Sequence, residues 1–192
     1  MRWTSLLLSL TLAGAAGAAP DIRDPDLDRL RRFEEAAGSA ILGALAGGAA
    51  DDVAVLTDAL SGVAQPPAPE GDWACRTIKM GGITDLVVYA PFRCRISRIS
   101  ATEWQFEKLT GSQLTRGTIA FHEGRAVYRG VGYVAGGPAA DYADLPEGTA
   151  PVEPGQTVAD IAVFEQTGPD RARLLFPFPV LESRFDILYL TR

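Results

Sequence analysis

Histidine, cysteine and lysine are nearly missing from this 192-residue chain, which has one histidine (His122), two cysteines (Cys75 and Cys94) and sixteen arginines against two lysines. A Cys/His zinc site needs more ligands at close spacing than these supply. The HExxH pattern fails at Ala126, and the cysteines are too far apart for a CxxC redox centre. No serine sits in a Gly-x-Ser-x-Gly elbow: Ser112, in "TGSQ", reads as a turn residue between strands. A basic surplus is missing too, since the net charge is −6, which argues against a nucleic-acid binder. After the first nineteen residues no stretch approaches the roughly 20 apolar residues of a spanning helix.

What is present begins with "MRWTSLLLSLTLAGAAGAA": one arginine, an apolar run from Leu6 to Leu12, then Ala16-Gly17-Ala18 in the A-x-A pattern. This reads as a signal peptide over residues 1–18, too short for a membrane anchor, and predicts export. No cysteine precedes Cys75 for lipid attachment, and no Arg-Arg pair marks a twin-arginine leader. The arginine-rich, alanine-rich composition points to a GC-rich bacterial genome, so the periplasm is the expected location, with secretion as the alternative. Cleavage after Ala18 leaves 17 basic and 24 acidic side chains. In an oxidising compartment Cys75 and Cys94 are expected to pair as a structural staple.

Residues 20–63 read as a helical hairpin. A first helix over 24–47 starts at Asp24-Pro25 and carries Leu27, Leu30, Ala37, Ile41 and Ala44 on one stripe. A second, capped near Asp51, carries Val53, Leu56 and Leu60. The proline-rich "AQPPAPEG" (64–71) is a linker. From residue 72 to 192, short Val/Ile/Phe/Tyr runs alternate with Gly, Pro and Asp clusters, predicting strands at 73–80, 86–96, 102–108, 114–121, 125–134, 158–165, 171–176 and 184–190. In the second of these, Leu86, Val88, Ala90, Phe92, Cys94 and Ile96 are expected on one inward face, with an edge or bulge at Pro91. The fold class is therefore α+β, mainly β: a helical hairpin followed by a small antiparallel, about eight-stranded β-barrel or barrel-like sandwich with one disulfide.

"GDW" (Gly71-Asp72-Trp73) at the start of the first strand resembles the opening of lipocalin-type barrels, and that resemblance implies a structural Trp73 plugging one end above a late arginine, Arg184 or Arg192. "WACRTIKMGG", "LVVYAPFRCRI", "FEKLTGSQLTRG", "VYRGVGYV" and "LLFPFPVLESRFDILYL" resemble, in order and spacing over residues 25–190, a bacterial family called domain of unknown function 4893. Leu114 departs from the arginine expected after Gly-Ser-Gln. The family resemblance implies an exported helix-plus-β protein and no activity.

Few residues invite chemistry. "GVGYVA" from Gly130 has the spacing of a dinucleotide fingerprint but leads into a loop instead of a helix, so no cofactor is expected. His122 in "FHEGR" reads as a turn histidine beside Glu123-Gly124. Glu103 and Glu107 fall on one outward strand face. The "FPFP" phenylalanines, Phe176 and Phe178, read as a barrel lid. Arg76, Lys79, Arg93, Arg95 and Arg98 form a local excess of positive charge in an acidic protein. Arg76, Arg93 and Arg95 are the candidate ligand- or partner-binding residues, unless the group pairs internally with Glu103, Glu107 and the acidic hairpin. The expected function is non-catalytic binding or inhibition, of a small molecule in the barrel mouth or an envelope protein at the arginines. The alternative is an envelope-directed hydrolase using carboxylates or His122. A perturbed carboxylate pair in a pocket would favour the latter. The loop 135–156, long and polar, favours binding.

Overall fold

Period-two alternation puts one set of side chains inside and one outside each strand, and here it closes on itself. In a computed structural model describing residues 21–192, the strands β1 (Gly71–Met80), β3 (Phe92–Arg98), β4 (Glu103–Lys108), β5 (Gln113–His122), β6 (Arg125–Val134), β7 (Val158–Gly168), β8 (Arg171–Pro177) and β9 (Phe185–Thr191) follow one another around an antiparallel barrel. β9 returns to pair with β1, which closes the eight-stranded ring. The short β2 (Leu86–Val88) continues the pairing of β3 along β1. The expected leader lies outside the described residues.

The expected single face for residues 86–96 is corrected by the pairing register. From Cys75 to Ile78 on β1 is three steps, whereas the partners Phe92 to Val88 span four. One extra residue is therefore accommodated around Pro91, a bulge that turns the chain over. Cys94 and Ile96 point into the barrel, whereas Leu86 and Val88 face outward with Ile78 and Met80. Cys75 and Cys94, on adjacent strands, are both wholly buried and form the disulfide, Cα–Cα 5.8 Å.

The outward apolar set exists because helices cover it. The predicted first helix is in fact two, α1 (Asp24–Arg31) and α2 (Phe33–Gly47), broken at Arg32, whose φ of −94° and ψ of 19° leave the helical range. α3 (Ala50–Leu60) follows after two residues. Ala36, Ala37, Ala40, Ala44, Leu56 and Ala59 are buried against Ile78, Met80, Leu175, Phe185 and Ile187. Small side chains let the helices lie close to the strands, and burial at roughly 25 cal/mol per Å² supplies the attraction.

Arginines fix the helices in place, though not those of the predicted patch. Arg29 donates to Ala159 O (2.9 Å), Pro177 O (3.2 Å) and Asp26 Oδ1 (2.9 Å). Arg173 donates to the carbonyls of Ala59 and Ser61 at the end of α3, both at 3.1 Å, where a cation meets the negative end of the helix dipole. Arg171 and Tyr189 hold Asp58. The loop 135–157 folds back over the outer wall, burying Tyr142 and Leu145 against Val131 and Ala159, and Tyr142 donates to Asp26 Oδ2 at 2.7 Å.

Candidate functional site

The two ends of the barrel interior differ. At the end where β1 begins, Trp73 is buried, its Nε1 donates to Pro69 O (2.8 Å), and the Arg192 guanidinium lies 4.0 Å from its ring centroid. Of the two arginines considered for this stacking role, Arg192 takes it; Arg184 lies near Phe178 and Glu35. Inward from this plug the core is aromatic, with Trp104, Phe106, Tyr128 and Phe164 buried, and Phe106 and Tyr128 edge-to-face at 5.5 Å.

At the other end a cavity of ≈ 120 Å³ remains. Strand parity selects its polar lining. Lys79 follows Trp73, Cys75 and Thr77 on the inner face of β1, Lys108 follows Trp104 and Phe106 on β4, Asp160 precedes Ala162 and Phe164 on β7, and Asp186 precedes Leu188 and Leu190 on β9. The chain's only two lysines thus open into one space with two aspartates. Phe176 forms part of the wall, with Val158, Val180, Leu181 and Leu188. The mixture of apolar wall and a few convergent polar groups is that of a small-molecule site.

Glycine makes room for this arrangement. Gly130 and Gly132 share the inner face of β6. A Cβ on Gly130 would run into the Tyr128 hydroxyl, and one on Gly132 would stand 2.9 Å from Asp160 Oδ2. The "GVG" in the sequence therefore serves close packing within a barrel strand and does not lead into a helix. Tyr128 hydroxyl, Thr115 Oγ1 and Asp160 Oδ2 form a continuous chain, each link 2.6 Å, from the filled core to the cavity.

Burial sets the protonation states. It pushes the Asp186 carboxyl up to about 7, an effect the Ser183 hydroxyl (2.6 Å) and Lys79 oppose and Asp160 reinforces. Asp160 is raised by burial as well, opposed by Thr115. Both carboxyls sit on the cavity wall, and burial is the largest influence on each. Lys108 is lowered to about 8, first by burial and then by the positive charge of Lys79. Lys79 itself donates to Glu182 Oε2 (2.5 Å) and Gln113 Oε1 (3.0 Å), and this contact holds Glu182 below the usual range.

The rim carries backbone strain. Gln156, Phe178 and Glu182 adopt φ of 46°, 44° and 70° in the two loops bordering the cavity, a region non-glycine residues rarely occupy. Such conformations gather where the surrounding structure holds a site in shape.

The sequence-derived candidates lie elsewhere. Arg76, Arg93 and Arg95 share the outer face of the paired β1 and β3, as expected, but Lys79 points inward, away from them. Arg95 pairs with Asp72 at 2.6 Å, and Arg98 pairs with Glu70, so these two are matched by neighbours along β1 and not by the helices. Arg76 lines a shallow groove between α3 and β9. His122 and Arg125 close the β5–β6 hairpin, with Glu123 and Gly124 at positive φ, a two-residue turn at the plugged end. His122 is therefore far along the barrel from Asp160 and Asp186. Glu103 and Glu107 alternate with the inward Trp104 and Phe106, which places them outside. Of the FPFP pair, Phe176 lies inside against Tyr128, whereas Phe178 lies outside under Arg32.

The family model Domain of unknown function (DUF4893) matches residues 20–190. The chain belongs to the DUF4893 family. No curated protein and no solved structure matches it, and the likeness to lipocalin-type barrels rests on the Trp73–Arg192 contact alone. Nothing about activity comes with DUF4893 membership. Among the described residues no group of three or more His, Cys, Asp or Glu is placed to hold a metal ion, and no helix is long and apolar enough to cross a membrane.

Proposed function

We propose that this DUF4893 protein is an exported, non-catalytic binding protein of the bacterial periplasm that holds a small polar molecule in the mouth of its barrel. The observation that carries this reading is the ≈ 120 Å³ cavity walled by Lys79, Lys108, Asp160 and Asp186 at the end of an otherwise filled barrel. Four ionisable groups on the inner wall of one barrel mouth depart from ordinary apolar core packing, and a ligand that engages them stabilises the folded state. The disulfide is compatible with an exported location. The outer arginines are the weaker candidate surface, because Arg95 is already paired with Asp72.

A second reading has one observation in its favour. Asp186, titrating at about 7 beside the raised Asp160, has the character of a general acid at neutral pH, as in a carboxylate hydrolase. His122, at the opposite end, takes no part in that reading.

The test is native mass spectrometry of the mature protein purified gently from its own compartment, before and after denaturation. A retained molecule released on unfolding is the expected result. A bare chain of the mass of the protein with one disulfide counts against a tightly held ligand. Turnover of envelope material that Asp186→Asn abolishes would replace binding with hydrolysis.

A further inference from the structure

The two lysines of the cavity are not equivalent. Lys79 has a carboxylate partner in Glu182. Lys108 is only 8% exposed, and its Nζ makes one hydrogen bond, to Gln113 O at 2.5 Å, and faces the Phe92 ring at 4.0 Å. No carboxylate lies within ion-pair distance of it among the described residues. An ammonium has three donors, and a buried cation without a counter-ion is costly. Two other buried basic groups are answered by acids: Arg29 by Asp26 and Arg173 by Glu165. Lys108 alone in this comparison meets a cavity in place of an acid.

Resting on the binding reading above, we infer that the cavity takes a small organic carboxylate, its anionic group on the Lys108 ammonium and its short apolar tail on the wall of Val158, Val180, Leu181 and Leu188. The size agrees. An apolar cavity of about 150 Å³ holds the six non-hydrogen atoms of benzene, so ≈ 120 Å³ encloses roughly five, and the open mouth leaves room for the end of a slightly longer acid. Two acids in the same space do not conflict with an anion, because a neutral carboxyl donates an O–H to a carboxylate. Asp186 reaches that state near neutrality, and Asp160 is shifted in the same direction.

The charges facing this space come from every side: Lys79 on β1, Lys108 on β4, Asp160 on β7, Glu182 on the rim and Asp186 on β9. Arg29 and Asp26 of α1 act on Asp160 through the wall. Lowering the pH below about 7 neutralises Asp186 and keeps Lys108 charged. Raising it above about 8 discharges Lys108 and ionises Asp186, so an anion is then rejected.

Isothermal titration of the purified protein with pentanoate and with pentanamide, equal in shape and different in charge, tests the inference at pH 6 and pH 9. Pentanoate is expected to bind at least about tenfold more tightly than the amide at pH 6, a margin in keeping with one charge-assisted hydrogen bond. That preference should be lost at pH 9, and Lys108→Met should abolish it at pH 6. Should that variant fail to fold, the wild-type comparison of the two probes still decides. Equal affinity for both probes, or pentanoate binding unchanged at pH 9, overturns the carboxylate. If neither probe binds while native mass spectrometry releases a molecule that is not an acid, this inference falls and the binding reading stands. A bare protein that binds neither probe removes both.

Discussion

The plugged end of the barrel and its open end are built from the same eight strands, yet they follow opposite rules. Around Trp73 the interior is aromatic and filled, closed by the disulfide, by Arg192 and by the buried Pro69. Around Asp186 the strands place charged side chains on the positions that elsewhere carry leucine or phenylalanine. The first end is arranged largely as stability demands, the exception among the described residues being the buried Trp104 Nε1, which has no hydrogen-bond partner. The second departs from those demands at several positions at once, with a buried lysine, two raised carboxyls, inner-face glycines and strained rim residues. Departures that cluster at one place are the mark of a site rather than of loose packing.

The comparison predicts a gradient of mutational effects. Phe106→Ala at the filled end removes a wholly buried ring and should cost about 3–5 kcal/mol in urea unfolding. A loss under about 1 kcal/mol would mean that this end is no better packed than the other. Replacing Cys75 and Cys94 together by alanine should cost about 3 kcal/mol by the same measurement, because the bond closes a loop of about 20 residues in the unfolded chain. No loss would show that the strands around the plug hold their register unaided.

At the open end the expected sign reverses. The folded Asp186 carboxyl titrates at about 7, above the roughly 3.9 of an unfolded aspartate. The folded state thus holds its proton more strongly, so this contribution is fully present below about pH 4 and is lost as the pH rises through 7. Asp186→Asn should therefore raise stability at pH 8 by about 2 kcal/mol, below the limit of about 4 kcal/mol set by the displaced titration because cavity solvent screens the charge. Urea midpoints at pH 5 and pH 8 for both proteins check this. A variant less stable than wild type at pH 8 would make Asp186 structural and erase the contrast between the ends. The smallest effect belongs to the rim, where Leu181→Ala should change stability by no more than about 1 kcal/mol while weakening whatever the cavity holds. A large destabilisation there would make the rim part of the core.

Much of the architecture was legible because it is local. Alternation marked the barrel strands to within a few residues except that it ran β2 and β3 together as one, Glu123-Gly124 marked the β5–β6 hairpin, and Cys94 fell on the inward parity that its disulfide requires. The break at Arg32 was not legible, because the helical stripe reads on through it, and the turning-over at Pro91 was visible only as a possibility of bulge or edge. The site leaves a signal in strand parity. Lys108, Asp160 and Asp186 each have an apolar inward residue two positions away (Phe106, Ala162 and Leu188), and Lys79 continues the inward set Trp73, Cys75, Thr77, so each is a charge on the core parity of its strand. The density of arginines between Arg76 and Arg98 measures charge along the chain and not direction.

The sequence by itself determined that this would be a mainly β chain with an α-helical start, a structural disulfide and charged side chains on certain inner faces, since each of these depends on residues close together or on a period of two. Which of those inner charges meet was decided only by the closed barrel. Closure and stagger bring β1, β4, β7 and β9 to face one another at one end, and they set His122 at the other. Alternation gives a side chain its face, but its partners across a barrel depend on how the strands shift as the sheet closes.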